Sequence, residues 1–308
     1  MPDVGIVIVT WFSKAEIGPC LDAAIATGAE TVVIDNASTD GTVAEAASRG
    51  VQVVANPENR GFAAAANQGF SLLKTPYVLL LNPDARIQRG LDFLRAACDL
   101  PNAAGAGGLL LGSDGRMQAG FMIRALPSAI TLIMEVGLLN RAWPGNPVNR
   151  RYRGLALDYS KRFAVEQPAG AFLMIRREVW RELGGFDESF FPLWFEDVDF
   201  CRRAVERGYV FYYEPEAVAV HAGAHSISRM EVEKRRVYWY SGVIHYAAKH
   251  FRPSEFRAVC LAVLAGAALR GAAALFLKEG AAGFGKVARL AASCFLSGWN
   301  GSAVRVKL

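Results

Sequence analysis

Several common signatures are missing from this 308-residue sequence. It has five cysteines (Cys20, Cys98, Cys201, Cys260 and Cys294) and no C-x-x-C pair, which argues against a zinc site or a disulfide framework. We therefore expect reduced thiols, as in a cytosolic protein. The amino-terminal residues lead directly into a strand-like apolar run without the basic and apolar regions of a signal peptide, so none is expected.

Long uncharged apolar runs are also missing. In the apolar tail, the uncharged run between Arg257 and Arg270 has only 12 residues, whereas about 20 are needed to span a bilayer. The sequence therefore predicts no clean transmembrane helix.

Glycine-rich phosphate-binding motifs do not occur where they would be needed. No G-x-G-x-x-G follows the first predicted strand, and a P-loop motif is absent throughout. These absences exclude a Rossmann dinucleotide site and a P-loop nucleotidase. A nucleotidyltransferase would need a glycine-rich, lysine-containing segment after the first strand, and the sequence there is Thr10-Trp11-Phe12-Ser13.

The net charge of +5 is concentrated in the tail. Residues 256–308 carry seven basic residues and one acid, whereas the remaining chain sums to −1. A nucleic-acid-binding surface is therefore not expected. Two interpretations of this apolar and basic tail remain. It packs as a helical hairpin on the catalytic domain or a partner subunit, or it lies on an anionic bilayer, and the charge asymmetry favours the bilayer.

Hydrophobic periodicity predicts an α/β fold with a mostly parallel central sheet and a helical C-terminal tail. Short β-branched and apolar runs alternate with helical patterns, which is typical of successive βαβ units. The predicted strands are Val4–Val9, Thr31–Ile34, Val51–Ala55, Tyr77–Leu81, Phe172–Ile175, Tyr209–Tyr213 and Ala217–Val220. The predicted helices include Ala15–Ala26, Thr42–Ala47, Phe62–Leu73 and Val198–Glu206, and the chain is expected to be helical from Met230 onward.

Polar loops follow three of the predicted strands, at Thr10–Ser13, Asp35–Thr42 and Asn82–Arg86. Ligands of open α/β sheets bind outside the carboxyl ends of the strands, so these loops are the predicted ligand site. Helix capping is the alternative for Ser38, Thr39 and Asp40, which precede a helix. Capping explains Asp35 and Asp84 less well, because they come before the turn.

Five motifs together resemble a known family. They are V-V-I-D-N-A-S-T-D-G-T in residues 32–42, N-P-E-N-R-G-F-A-A-A-A-N-Q-G in 56–69, L-L-L-N-P-D-A in 79–85, residues 4–13, and G-G-F-D-E-S-F-F-P-L-W-F-E-D-V-D-F-C-R-R in 184–203. In this order and spacing they resemble the inverting family 2 glycosyltransferases of the GT-A fold. N-P-D and F-D-E-x-F-F before E-D-x-D are most similar to the rhamnosyltransferase-type members. The resemblance covers about residues 4–250.

The resemblance implies a donor site for a nucleotide-sugar. Asp35 and Asn36 match the pair that binds the nucleotide base, although many members have a second aspartate at Asn36, and Thr10 matches the loop that touches the nucleoside. Asp84 matches the last aspartate of the D-x-D motif, which holds a divalent cation against the diphosphate, while Asn82 replaces the first. One protein carboxylate still suits Mg²⁺, which often uses one or two carboxylates with phosphates and water. Arg60, ahead of a predicted helix, is a further donor-binding candidate, with a solvated surface arginine as the alternative.

The resemblance also implies the remaining roles. Asp197 matches the general base of an inverting transfer and Glu196 its acidic neighbour at the acceptor, with an N-cap as the alternative for Asp197. A helix N-terminus at Asp197 would keep the carboxylate ionised. His221 matches a histidine that reaches the metal or the diphosphate, with a structural histidine as the alternative, and His225 lies nearby. Trp194 is the predicted platform for the acceptor sugar, with core packing as its alternative.

The sequence as a whole predicts an inverting glycosyltransferase that uses Mg²⁺ or Mn²⁺. The reaction favoured by the resemblance alone is transfer of L-rhamnose from dTDP-rhamnose to a saccharide or lipid-linked saccharide in cell-envelope polysaccharide synthesis. The alternatives are another UDP-, GDP- or dTDP-sugar, or a non-catalytic scaffold in a membrane-bound assembly. We expect a GT-A catalytic domain over 1–230 (nucleotide half about 1–100, acceptor half about 101–230) and a helical region over 231–308. The expected location is cytoplasmic, peripheral on the cytoplasmic face of the cell membrane, and a homo-oligomer is left open.

Overall fold

A computed structural model describes residues 2–223, 229–276 and 280–299. The chain packs as two compact units: the first comprises residues 1–126, 153–188 and 196–226, and the second residues 127–152, 189–195 and 227–308. The packing thus groups residues 127–152 and 189–195 with the C-terminal helices. The predicted domain boundary at residue 230 stays a prediction. His225 lies outside the described residues.

The first unit is built on a sheet of nine strands within the described residues. Two further short strands pair with each other. The predicted α/β architecture with a central sheet is confirmed, and among the described residues the strand pairs of this sheet are four parallel and four antiparallel. The sheet strands are β1 (Val4–Thr10), β2 (Glu30–Asp35), β3 (Gln52–Ala55), β4 (Tyr77–Leu81), β5 (Ala85–Arg89), β6 (Ala103–Leu111), β8 (Phe163–Val165), β10 (Phe172–Arg176) and β11 (Val210–His221), and the short pair is β7 (Ile123–Arg124) and β9 (Gln167–Pro168).

Strand β1 shows why the sheet is buried on both faces. All seven of its residues are buried, and because successive side chains alternate between faces, the strand contributes to two cores. Ile6 and Ile8 pack in one cluster with residues of the first helix, while Val7 and Val9 pack in the other with Phe70. A continuous β-branched run is the pattern expected of such a strand.

The strand order is β3-β2-β1-β4-β10-β6-β11-β5, with β8 paired to β11. Strands β1 to β4 run parallel to one another, β10 runs antiparallel between β4 and β6, and β6 and β11 are parallel. The carboxyl ends of β1, β2, β4 and β11 therefore share one edge of the sheet. The two strands predicted in residues 209–220 form the single strand β11, with a register shift between Glu214 and Val218.

The helices of the first unit connect these strands and cover the sheet. They lie within one or two residues of the predicted bounds where a helix was predicted. They are α1 (Lys14–Ile25), α2 (Thr42–Ala47), α3 (Phe62–Leu72), α4 (Leu91–Ala97), α8 (Arg177–Glu182) and α9 (Glu196–Glu206).

The second unit is helical within its described part. Its members are α5 (Ala129–Val136), α6 (Leu139–Ala142), α7 (Pro147–Tyr152), α10 (Val232–His250), α11 (Pro253–Phe276) and α12 (Phe284–Ser297). The predicted helical tail is thus present up to Ser297. Lys278, Arg305 and Lys307, three of the seven basic residues of the tail, lie outside the described residues.

Helix α11 corrects the expectation that no segment is long enough to span a bilayer. In the described part of the chain, the helical stretch Pro253–Leu275 has 23 residues and contains an 18-residue window with a mean hydropathy of 2.0, which meets the requirement by length and composition. Arg270 does not interrupt the helix, since arginine is a good helix former; its Nη1 donates a 2.5 Å hydrogen bond to the carbonyl oxygen of Val136. About a third of the apolar stretch (33%) is buried within the protein.

All five cysteines are free and buried, in agreement with the expected reduced thiols.

Candidate functional site

The loops after β1 and β2 are joined by a buried hydrogen-bond network around Asp35. Thr10 Oγ1 donates to Asp35 Oδ1 at 2.7 Å. Ser38 adds two bonds, from Oγ to Oδ1 at 2.6 Å and from its backbone N–H to Oδ2 at 2.8 Å. Its Oγ also accepts from the backbone N–H of Phe12 at 2.8 Å. Thr10 and Asp35 are at most 1% exposed, so this carboxylate holds both loops in one arrangement.

The helix-capping alternative applies to only part of this loop. Asp40 accepts from the backbone N–H of Thr42 at 3.1 Å, in the first turn of α2. Ser38 instead bonds to Asp35 and joins the predicted donor site, a role that its position before a helix did not reveal.

Asn36 connects β2 to the segment that precedes α3. Its Nδ2 donates to the carbonyl oxygen of Gly61 at 3.1 Å, and its Oδ1 accepts from Asn56 Nδ2 at 3.2 Å and from the backbone N–H of Arg60 at 3.4 Å. The structure therefore brings Arg60 to the predicted base-binding pair through its backbone, while its side chain is exposed. Binding of the base by Asp35 and Asn36 stays a prediction.

The predicted metal motif meets His221 at the shared edge of the sheet. His221 Nε2 lies 3.4 Å from Asp84 Oδ1 and 3.3 Å from Asn82 Nδ2. The side chains of His221 and Asp84 are only 5% and 9% exposed. The backbone N–H of Ala222 donates to the carbonyl oxygen of Asp84 at 3.1 Å, which ties the end of β11 to the loop after β4.

These side chains fit a divalent cation. Asp84 provides carboxylate oxygens, which Mg²⁺ and Mn²⁺ accept, and His221 adds a ring nitrogen. No group of three or more histidine, cysteine or acidic residues that could hold a metal occurs in the part of the chain that the structure describes. A cation held by Asp84 and His221 would therefore complete its shell with ligand oxygens and water, as Mg²⁺ commonly does.

Two residues that sequence reasoning missed surround His221. Gln118 forms two hydrogen bonds to it, from Nε2 to the backbone carbonyl oxygen at 2.8 Å and between Oε1 and Nδ1 at 3.0 Å. The ring of Phe121 stacks on the imidazole with the centroids 5.2 Å apart and the planes 8° from parallel. They lie about a hundred residues from His221 in sequence, so no local pattern indicated them.

Asp197 lies in the first turn of α9 rather than before the helix. Its Oδ2 accepts from the backbone N–H of Gly170 at 3.0 Å, and its Oδ1 accepts from its neighbour Val198 at 2.8 Å. The residues Gly170 and Ala171 also connect this carboxylate to the metal motif, because the carbonyl oxygen of Ala171 accepts from the backbone N–H of Asn82 at 3.0 Å. The predicted base and the predicted metal ligands are therefore joined through two adjacent residues.

Gly170 has a steric reason to be a glycine. A Cβ atom at this position would lie 3.3 Å from both Cβ and Oδ2 of Asp197, which is closer than ordinary van der Waals contact. The missing side chain lets the backbone approach the carboxylate closely enough to donate its hydrogen bond.

The environment of Asp197 raises the pKa of its carboxyl above the ordinary aspartate value. Burial is the largest cause, and it outweighs the backbone N–H donors of Gly170 and Val198 and the nearby guanidinium of Arg124, which lower the pKa. The expectation that the helix N-terminus keeps the carboxylate ionised stays a prediction. A raised pKa makes the carboxylate a stronger base, which suits proton abstraction.

The two predicted acceptor residues lie in different units. Glu196 is 6% exposed in the first turn of α9, in the first unit. Trp194 belongs to the second unit and has a φ of 76°, followed by 74° at Phe195. A left-handed backbone at bulky residues costs about 1–3 kcal/mol each, and here the buried ring of Phe195 packs on Tyr246 at 5.6 Å between centroids. The acceptor role of both residues stays a prediction.

Asp199, two residues after Asp197, has a structural partner. It is fully buried and accepts from Arg203 Nε at 2.7 Å, while the other guanidinium nitrogens donate to the carbonyl oxygens of Leu183 and Gly185. The carboxylate of Asp199 is thus engaged in a buried ion pair.

We predict that Arg203→Ala lowers the free energy of unfolding by about 3–5 kcal/mol, because it breaks the ion pair to the buried Asp199 carboxylate. Urea unfolding measures the change. Arg202→Ala is the matched control: its partner Glu206 is exposed, so the loss should be below about 1 kcal/mol. Equal losses of unfolding free energy in the two variants would show that the buried ion pair stabilises the fold no more than the exposed one.

Comparison with known proteins identifies similar chains. The profile described as Glycosyl transferase family 2 matches residues 5–110, and that described as Glycosyl transferase family group 2 matches residues 157–299. A relative from Mycobacterium tuberculosis, N-acetylglucosaminyl-diphospho-decaprenol L-rhamnosyltransferase, is 32% identical over 234 residues, which cover 71% of this chain and 75% of the relative.

Two solved structures are similar along nearly the whole chain. S. aureus TarS 1–349 in complex with UDP-GlcNAc has a TM-score of 0.57 at 15% identity, covering 98% of this chain and 83% of TarS 1–349. The mannosyltransferase PcManGT from Pyrobaculum calidifontis, in complex with GDP-Man and Mn²⁺, has a TM-score of 0.53 at 18% identity and covers 97% and 88%.

Proposed function

Because the chain belongs to glycosyl transferase family 2, we propose that it is an inverting, metal-dependent enzyme that transfers L-rhamnose from dTDP-rhamnose. The proposed acceptor is a saccharide or lipid-linked saccharide of cell-envelope polysaccharide synthesis. The GT-A fold is shared with solved glycosyltransferases. The choice of sugar and acceptor is supported by the name of the mycobacterial relative, which pairs L-rhamnose with a diphospho-decaprenol-linked sugar.

One observation carries the proposal: Gly170 and Ala171 bridge the carboxylate of Asp197 and the loop of Asn82 and Asp84. An inverting transfer needs a base on one side of the sugar carbon C1 and charge neutralisation at the leaving diphosphate on the other. A proton acceptor and cation-binding side chains joined through two residues match that requirement.

In the proposed mechanism Asp197 accepts the proton of the acceptor hydroxyl as the oxygen attacks C1 from the face opposite the nucleotide, while the bond between C1 and the diphosphate oxygen breaks and dTDP leaves. The two backbone N–H donors hold its carboxylate in place before the reaction, so little reorganisation is needed. Asp84 and His221 would hold a divalent cation, Mg²⁺ or Mn²⁺, which when bound neutralises the charge of the diphosphate. In this proposal Thr10, Asp35 and Asn36 belong to the donor-binding loops, and Glu196 and Trp194 are each candidates for contact with the acceptor.

Donor binding tests the proposal. We would titrate the protein with dTDP-rhamnose, dTDP-glucose, UDP-GlcNAc and GDP-mannose, each with and without Mn²⁺. We expect dTDP-rhamnose to bind most tightly and to need the cation. Tighter binding of another nucleotide-sugar would support the proposed glycosyltransferase activity but contradict dTDP-rhamnose as its donor. Binding of none of them would favour a non-catalytic scaffold.

The pH dependence of transfer tests the role of Asp197. Since the active form is the carboxylate and its pKa is raised, kcat/KM should fall as the pH decreases through a value above about 3.9, the ordinary aspartate pKa. Arg124→Gln removes a charge that lowers this pKa, so the acid limb should move to higher pH. An acid limb that stays in place in Arg124→Gln would contradict the assignment.

We also propose peripheral attachment to an anionic membrane surface on the cytoplasmic side. The charge asymmetry follows the structural units: the second has 16 basic and 5 acidic residues, and the first 18 basic and 24 acidic. The second unit also exposes large apolar side chains that could enter a lipid surface. They include Leu261 (48% exposed), Leu269 (59%), Leu275 (73%) and Leu296 (79%).

Vesicle co-sedimentation tests this attachment. Binding should need anionic lipid and weaken with salt. In the full chain, Arg257→Gln with Arg289→Gln removes two exposed charges of the second unit, and we expect about 30-fold weaker binding, since each contributes about 1 kcal/mol. Arg116→Gln with Lys161→Gln makes the same charge change in the first unit and should have little effect. Equal effects of the two pairs would contradict attachment through the second unit.

A further inference from the structure

The side-chain amide of Gln118 is bonded at both ends to one residue, His221. Gln118 follows a turn after β6, where Leu111 and Met117 form a single antiparallel bridge. Its own backbone N–H donates to the carbonyl oxygen of Leu110 at 2.9 Å, which anchors it beside the sheet. The amide is therefore held at a defined position against the end of β11.

The two bonds determine which nitrogen of His221 carries its proton. The backbone carbonyl oxygen of His221 can only accept, so the NH₂ group of Gln118 faces it at 2.8 Å. Oε1 then faces Nδ1 at 3.0 Å, and because an amide oxygen can only accept, Nδ1 must donate. In neutral His221 the lone pair is consequently on Nε2.

That lone pair points at the predicted metal motif. Nε2 lies 3.4 Å from Asp84 Oδ1, so two electron-rich atoms face each other where little water can screen them. Asn82 Nδ2, at 3.3 Å, is placed to donate to Nε2. A cation bound by Asp84 would find the imidazole in the tautomer that can ligate it, without a proton shift.

The ring plane is held as well. Phe121 stacks on the imidazole 8° from parallel, at 5.2 Å between centroids, so rotation of the ring would break both the stacking and the Nδ1 bond. Position and tautomer of His221 are thus set by residues of one short segment, 118–121.

We propose that Gln118 is a positioning residue that keeps His221 in the Nδ1–H tautomer, with Nε2 available to the cation. The role of the tautomer in cation binding rests on the proposed metal-dependent function. The tautomer itself is a property of the metal-free protein and can be measured without a metal. Partners that orient a metal-binding histidine typically change metal affinity 10–100-fold when they are removed.

The first measurement needs no substitution. In ¹⁵N-labelled, metal-free full-length protein, long-range ¹H–¹⁵N spectra report the tautomer of each of the four histidines. His221→Asn identifies the signals of His221. We expect the Nδ1–H tautomer; an Nε2–H tautomer in the wild type would overturn the proposal.

The second measurement compares Mn²⁺ affinity by electron paramagnetic resonance, with Mn²⁺ as the only added ligand. Gln118→Leu should bind Mn²⁺ about 10–100-fold more weakly and shift His221 toward the Nε2–H tautomer. Gln118→Glu keeps an acceptor for Nδ1–H and should keep the tautomer and most of the affinity. Arg116→Ala, two residues away and exposed, is the control and should match the wild type.

The outcomes separate the two proposals. If the wild type binds no Mn²⁺, metal dependence fails, and the tautomer of the metal-free protein still tests the role of Gln118. If Gln118→Leu leaves both tautomer and affinity unchanged, the positioning role is refuted. If Gln118→Leu does not fold, the tautomer of the wild type and the tautomer and Mn²⁺ affinity of Gln118→Glu test the positioning role of Gln118.

Discussion

Asp197→Asn should lower the rate of transfer strongly while leaving donor affinity nearly unchanged. The amide has almost the same shape as the carboxylate and can still accept a backbone hydrogen bond, but it cannot take the proton of the acceptor hydroxyl. General-base catalysis contributes about 10²–10⁴-fold, so kcat should fall by that factor. Steady-state transfer assays and direct titration with the nucleotide-sugar measure the two quantities.

Glu206→Gln is the matched control for this prediction. It makes the same acid-to-amide change at the other end of α9, where the side chain is exposed. Its activity should equal that of the wild type. Activity of Asp197→Asn within tenfold of the wild type would remove Asp197 from the mechanism, and a loss of donor affinity would move it to the metal site.

Asp84→Asn should weaken donor binding and remove its dependence on a divalent cation. Asp84 is the single acid in the loop of residues 82–86, so no neighbour there can replace it. Charge stabilisation by a bound cation contributes several kcal/mol, and each 1.4 kcal/mol corresponds to a factor of ten. We therefore expect a loss of at least about 100-fold in kcat/KM. Calorimetric titration of the donor with and without Mn²⁺ measures the coupling.

Asp92→Asn, an exposed aspartate in the first turn of α4, controls for the loss of one negative charge. It should leave both donor affinity and cation dependence unchanged. If donor binding by the wild type is already indifferent to cations, the metal assignment of Asn82-Pro83-Asp84 is wrong.

Much of the fold could be predicted because its signals are local. A continuous β-branched run such as Val4–Val9 marks a strand buried on both faces, and β1 is buried at every residue. The polar residues that end β1, β2 and β4 lie at one sheet edge because parallel strands share their direction, so Thr10, Asp35 and Asp84 could be placed together in advance.

The length of α11 shows where local reasoning failed. Counting uncharged residues between Arg257 and Arg270 treated each arginine as an end of the apolar segment. An arginine continues a helix as readily as most residues, so the helical segment extends through Arg270. In the second unit the guanidinium of Arg270 donates to backbone carbonyl oxygens of residues 135 and 136, which are more than a hundred residues away in sequence.

The sequence by itself determined the elements, the edge of the sheet that carries the site, and the acidic side chains placed there. Tertiary structure alone decided that β10 enters antiparallel between β4 and β6 and thereby brings Gly170 to Asp197. It also decided that Gln118 holds His221 against Asp84. The reason is that strand and helix propensities depend on neighbours within a few residues, whereas these contacts join residues 27 to 139 positions apart and exist only once the sheet is assembled.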